Sequence, residues 1–223
     1  MDHSHAEHAD HGMSSHDGHG TRAMALSATL HCLTGCAIGE ILGLMIGTAL
    51  GLGNGWTIAL AVALAFFFGY TLSTFPLLRA GLGVGAALGL VLAADTLSIA
   101  TMEVVDNLVM AVIPGAMDAG LVNWLFWVSM TIALGAAFVA AYPVNRYLLS
   151  RGKGHALTHG VHGGGEVTGA RRLIPDLSTG ALVAAILAFM LGGLVVSIAA
   201  ELGDDAEPGS DGHDAHAAAV AAR

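Results

Sequence analysis

Residues 177–200 read LSTGALVAAILAFMLGGLVVSIAA, with no charged side chain from end to end. About 20 apolar residues in a row are enough for a helix to cross the hydrocarbon core of a bilayer. Four earlier stretches have a similar length and apolar character, at residues 24–51, 56–78, 82–113 and 122–149. The sequence therefore predicts an all-α integral membrane protein with about five transmembrane helices.

The composition excludes a soluble domain. Mean hydropathy is +0.70, and only 11% of the residues are charged, whereas soluble domains carry roughly 25%. A surface so poor in charge indicates the lipid bilayer as the surrounding partner. The chain has no basic patch, so we expect no nucleic-acid partner.

The basic side chains predict the orientation, because cytoplasmic loops of membrane proteins are enriched in Lys and Arg. With five spans, all but one of the basic residues fall on the same side of the membrane. This places the N-terminus and the region 146–176 in the cytoplasm and the C-terminus outside. The residues on the cytoplasmic side are Arg22, Arg79, Arg146, Arg151, Lys153, Arg171 and Arg172, and the residue on the other side is Arg223.

The chain is predicted to divide into five segments. They are a disordered His-rich cytoplasmic tail (1–22), a four-helix membrane core (23–155), a flexible cytoplasmic loop (156–176), the fifth transmembrane helix (177–201) and a disordered acidic tail (202–223). Both tails are poor in apolar residues, and such segments bury too little surface to fold.

The first predicted helix carries side chains of metal-binding types. Cys32, Cys36 and Glu40 follow one another at intervals of four residues, within an arc of roughly 80° on a helix. Thiolates suit copper and zinc, whereas carboxylates suit harder ions. His31 lies about 100° away from Cys32 around the axis, so it joins them only if the helix is distorted or its ring reaches around. Alternatively, both cysteines are packing residues, because free cysteine behaves as a small hydrophobe.

Glycine recurs every fourth residue along the same helix. Small side chains at this spacing allow another helix to approach closely. The partner helix belongs either to the same chain or to a second copy, so a homo-oligomer through this face is one of two options. The glycines are Gly35, Gly39, Gly43, Gly47 and Gly51.

The third predicted helix contains three acidic residues. Asp95 and Asp106 return to within about 20° of the same face, and Glu103 lies within about 80° of it. Acidic residues at membrane depth are costly and usually mark paths for ions or protons. We expect Asp95 to lie at the depth of Cys36, because both are about 12 residues into helices that run outward. Alternatively, Glu103 and Asp106 belong to a short external re-entrant end and only Asp95 is buried.

The N-terminal tail contains six histidines mixed with acidic residues. Short His-rich tracts are typical of metal binding, and imidazole is the commonest metal ligand. We interpret the tail as a capture or sensing element, with a solubilising tail that has no specific ligand as the alternative. The histidines are His3, His5, His8, His11, His16 and His19.

Three elements of the sequence resemble DUF4396, a prokaryotic membrane-protein family known as a domain of unknown function. They are HCLTGC at 31–36 with Glu40, Asp95 with Thr96, and AYPVNR at 141–146 followed by RGKGH at 151–155. The resemblance would cover residues 25–155 and implies a small multi-helix domain, multi-pass in a prokaryotic inner (cytoplasmic) membrane. It implies no activity, so the functional prediction rests on the residues themselves.

These residues favour a membrane carrier or channel for a transition-metal cation, with proton exchange as one mode of coupling. Copper or zinc fits the cysteines, and nickel, cobalt or manganese fits the carboxylates. Two other hypotheses stay open: a membrane-embedded metal-dependent or thiol redox enzyme, and a metal sensor or delivery and assembly factor. No catalytic residue is predicted. The expected metal ligands are His31, Cys32, Cys36, Glu40, Asp95, Glu103 and Asp106.

Overall fold

The computed structural model describes residues 13–151 and 178–204, and their regular structure is helical throughout. The helices are α1 (Met13–Ala49), α2 (Asn54–Arg79), α3 (Val84–Val112), α4 (Trp124–Ser150) and α5 (Thr179–Asp204), with a short 3-10 helix, Ala116–Asp118, between α3 and α4. Each of the five α-helices contains a segment long and apolar enough to cross a membrane. The predicted all-α fold with five transmembrane helices is confirmed.

Several predicted features lie outside the described residues. They are the side chains of the six tail histidines, the loop at 156–176 and the end of the acidic tail beyond 204. One boundary differs from the prediction: α1 begins at Met13, inside the segment 1–22 that was expected to be a disordered tail. An existing helix adds residues easily, because each new residue brings its own backbone hydrogen bond.

α3 is one uninterrupted helix through its three acidic residues. Asp95, Glu103 and Asp106 all lie within Val84–Val112 and are 2%, 4% and 4% exposed. The alternative in which Glu103 and Asp106 belong to an external re-entrant end is therefore wrong. Their burial comes from packing against neighbouring helices, and no apolar pattern within α3 alone could indicate it.

Glycine shapes the two tight turns that connect the first three helices. Gly51 follows α1 with φ 65°, and Gly81 follows α2 with φ 103°. These left-handed conformations cost other residues conformational strain but not glycine. The turns send α2 back along α1 and α3 back along α2, so residues far apart in sequence become neighbours.

The glycine-rich face of α1 packs directly on α2. A Cβ atom at any of the first three glycines would overlap the α2 backbone. The pairs are Gly35 with Gly69, Gly39 with Ala65, and Gly43 with Ala61. Gly47 meets the Thr57 side chain in the same way, whereas the space around Gly51 is open. Within the described chain, α2 thus occupies the surface that a second copy would have needed for the predicted homo-oligomer.

The outer surface of the bundle is apolar. Val104, Val139 and Val196, on three different helices, are each 68–71% exposed. Exposing large apolar side chains to water over a whole surface would be energetically unfavourable. Contact with lipid is not, because lipid tails are as apolar as these side chains. The arrangement is that of a multi-pass membrane protein.

Candidate functional site

A line of acidic and sulfur side chains runs between α1 and α3. We call it the acid–sulfur column, and it consists of Cys32, Cys36 and Glu40 from α1 with Asp95, Met102, Glu103 and Asp106 from α3. All of these side chains are at most 4% exposed except Glu40. Glu40 is partly exposed, but both of its carboxylate oxygens are buried. The column exists because its α1 members follow one another every four residues and its α3 members fall within an arc of about 100° around the helix axis.

The first level of the column surrounds Cys32. Its Sγ lies 3.8 Å from Ser73 Oγ of α2, and Asp95 and Ser98 of α3 lie next to it. Asp95 was predicted to lie at the level of Cys36, so the observed pairing is displaced by about one helical turn, or 5.4 Å. Counting residues from the start of each span assumes parallel axes, whereas packed helices cross at angles of about 20° to 50°.

The second level joins two sulfur atoms. The Cys36 thiol donates to Met102 Sδ with 4.0 Å between the sulfurs, and both side chains are 1% exposed. The Glu103 carboxylate lies beside the same thiol. Cys32 and Cys36 are both free thiols, and each contacts a different partner.

The third level opens into a cavity of about 310 Å³. Glu40 of α1 and Asp106 of α3 are neighbours and both line it. The cavity lies at the end of the bundle where α1 ends and α2 begins. Its other polar lining residues are Thr48, Asn54, Thr57, Asn107 and Asp118. On its exposed rim, Asn54 Nδ2 donates to Asp118 Oδ1 at 2.9 Å, which ties α2 to the 3-10 helix.

Most of the carboxylate oxygens in the second and third levels lack a hydrogen-bond partner among the described residues. These buried atoms are Glu40 Oε1 and Oε2, Glu103 Oε1 and Oε2, and Asp106 Oδ1. Buried polar atoms in proteins are almost always paired, and two carboxylates can pair with each other only if one of them carries a proton. The sequence has no Lys or Arg in 23–78 or 80–145, so these spans contain no permanent cation. The orphaned oxygens therefore call for a proton, a water molecule or a bound cation.

His31 is buried on α1, and its Nδ1 lies 2.8 Å from the backbone oxygen of Ser27. This bond holds the ring against the preceding turn of its own helix. At the same end of the bundle, Asn145 of α4 donates to Thr29 Oγ1 at 2.9 Å. Both contacts lie near the Cys32 end of the column.

Among the described side chains, no group of three or more His, Cys, Asp or Glu residues is arranged to hold one metal ion. The predicted ligands other than His31 lie instead in pairs at successive levels. The pairs are Cys32 with Asp95, Cys36 with Glu103, and Glu40 with Asp106. Such an arrangement offers consecutive stations for an ion or proton, with water or other side chains completing each coordination shell.

Some polar residues of the site were missed by sequence reasoning. Ser98 lies one turn after Asp95, and this spacing of three residues could have placed it on the same face. Asn54 and Asp118 lie outside the apolar stretches and meet only through tertiary packing, so no local pattern indicates them.

Comparison with known proteins identifies a family but no characterised relative. No curated protein and no solved structure matches the chain. A family model described as "Domain of unknown function (DUF4396)" matches residues 21–154, a region that contains the spans of α1 to α4 and the complete acid–sulfur column. α5 lies beyond the matched region. Because the match covers more than half of its residues, the chain belongs to the DUF4396 family.

Proposed function

We propose that this protein carries or conducts a transition-metal cation across the inner (cytoplasmic) membrane of a prokaryote. The observation that supports this most strongly is the set of buried, orphaned carboxylate oxygens beside the cavity, on Glu40 and Asp106. An acidic residue at membrane depth costs about 2.5–3.5 kcal/mol. Two such residues from different helices facing one cavity are best explained by a cation that they bind.

The proposed path uses the three levels of the column in turn. In the orientation predicted from the basic residues, the cavity opens to the outside and the Cys32 level lies toward the cytoplasm. The ion would pass between the Glu40 and Asp106 pair, the sulfur level at Cys36, and the pair of Cys32 with Asp95. The His-rich tail at 1–22 would capture or sense the ion on the cytoplasmic side.

Protons are the ions that we expect to be exchanged for the metal along this path. Without a metal, each buried carboxylate is least costly when protonated, because the neutral form avoids the desolvation of a charge. A metal cation that binds between Glu40 and Asp106 must displace any proton held there. The same pair would therefore couple the movement of metal to the release of protons.

The two competing hypotheses make different use of the same residues. A thiol redox enzyme needs Cys32 and Cys36 to approach each other, but their sulfur atoms contact Ser73 and Met102 instead. A sensor or delivery factor needs tight binding without release across the membrane. Direct measurement of flux separates both from the carrier.

The test is metal uptake into liposomes that contain the purified protein and a trapped metal-sensitive dye, with Ag(I), Mn(II), Zn(II), Co(II) and Ni(II) added in turn. We expect Glu40→Gln and Asp106→Asn each to reduce the flux of the transported ion at least tenfold. Glu201→Gln is the matched control, because Glu201 is an exposed acid near the end of α5. Flux that is equal in all four proteins, or stoichiometric binding without any flux, would rule out the carrier.

A further inference from the structure

The second level of the column has a feature that divalent ions do not need, namely a thioether. Cys36 Sγ and Met102 Sδ come from different helices, lie 4.0 Å apart, and are almost fully enclosed. Thioether sulfur is a soft donor, and soft thiolate and thioether ligands select soft ions such as Cu(I). The sulfur pair therefore indicates that the path accepts a soft ion.

The distance between the sulfur atoms suits a bridging ion. With metal–sulfur bonds of about 2.3 Å, as in zinc–thiolate sites, sulfurs 4.0 Å apart subtend an angle of about 120° at the metal. An angle of this size leaves room for one further ligand in a trigonal arrangement. The two sulfurs would thus not need to move apart to hold the ion.

Glu103 supplies an independent indication of a missing ligand. Its carboxylate lies beside the Cys36 thiol and the residue is 4% exposed. Both carboxylate oxygens lack a hydrogen-bond partner among the described residues. If cysteine and methionine only packed as hydrophobes here, the burial of this acid beside them would have no explanation. A cation between the sulfurs would give it a partner.

We propose that Cys36 and Met102, with Glu103 as the third ligand, form a binding site for a soft monovalent cation of the Cu(I) and Ag(I) class. This deepens the proposed function and rests on it for the route by which the ion reaches a site enclosed by the bundle. On binding, the Cys36 S–H bond breaks, the sulfur bonds to the metal, and the thiol proton is released to the buffer together with any proton that Glu103 held. No change of oxidation state is involved.

The test is equilibrium binding of Ag(I) to the full-length protein in detergent, measured by silver–thiolate absorbance and by metal content after dialysis. Excess imidazole is added to compete with the histidines of the tail for Ag(I), so that the measured binding is that of the sulfur site. Met102→Leu nearly conserves volume and seldom harms folding, so it is the main variant. Met190→Leu is the matched control, because Met190 is also buried, at 4% exposure, but lies on α5. Cys36→Ser removes the thiol of the proposed site.

We expect Met102→Leu to weaken the tightest Ag(I) binding at least tenfold, Cys36→Ser to remove it, and Met190→Leu to retain it. Undiminished binding in Met102→Leu, or an equal loss in Met190→Leu, would overturn the sulfur site. These results do not depend on transport. Flux that is absent while Ag(I) binding follows the expected pattern would overturn the carrier but leave the sulfur site in place.

Discussion

Replacing Glu103 by glutamine should make the ion-free protein more stable, by about 1–3 kcal/mol. Glu103 and Asp106 are three residues apart on α3 and both 4% exposed, and side chains at this spacing are about 6 Å apart. When the pH is high enough to ionise both carboxyl groups, the two like charges repel by about 3 kcal/mol at that distance and an effective dielectric constant near 20. The glutamine amide also lacks hydrogen-bond partners when buried, and this reduces the gain in stability by about 1 kcal/mol.

The gain can be measured by reversible unfolding of the purified protein in mixed detergent micelles, with a chelator present, at about pH 8.5, where carboxyl groups in water are ionised. Glu201→Gln, at the exposed end of α5, should change stability by less than about 0.5 kcal/mol. In acid the gain from Glu103→Gln should shrink, because protonation also removes the charge. A loss of more than about 1 kcal/mol in Glu103→Gln would mean that the carboxylate is already paired in the ion-free state, and the reasoning from orphaned oxygens would fail.

Three further changes test separate parts of the structure. Gly39→Ala should destabilise the protein by about 1–3 kcal/mol, because the added carbon overpacks against α2. Gly89→Ala is the control, with no atom within 4 Å of the added carbon, and it should be neutral or stabilising in the same unfolding assay. Equal effects of the two substitutions would contradict the packing of α1 on α2. Asn145→Ala removes the hydrogen bond to Thr29 and should cost about 0.6 kcal/mol, and at most about 1.7, with flux unchanged. Deleting residues 2–12 should raise the cation concentration needed for half-maximal flux but leave the maximal flux intact, and an unaltered concentration dependence would remove the tail from the mechanism.

The five spans were predictable because hydrophobicity over about 20 residues is a local property of the sequence. The acidic face of α3 was predictable for a similar reason, since a rotation of about 100° per residue fixes which residues share a face. Asp95 and Asp106 needed only this arithmetic. Both predictions concern single helices, for which the sequence alone contains the relevant geometry.

The contacts between helices could not be predicted in the same way. Cys36 meets Met102, and Asp95 meets Cys32, because of the axial shift and rotation of α1 against α3. These quantities depend on how all the side chains at the interface fit together. The same holds for the choice of α2 as the partner of the glycine face, and for the cavity at Glu40, which is a space between elements and has no sequence pattern of its own.

The close fit of α1 on α2 determines where the protein has freedom to rearrange. With backbone against backbone at Gly35, Gly39 and Gly43, neither helix can slide or rotate past the other without a collision. We expect this pair to behave as a rigid block that holds one wall of the passage still. Alternation between outward and inward access would then fall to rocking of α3 and α4 against that block, and distance probes placed across Glu40 and Asp106 should register it first.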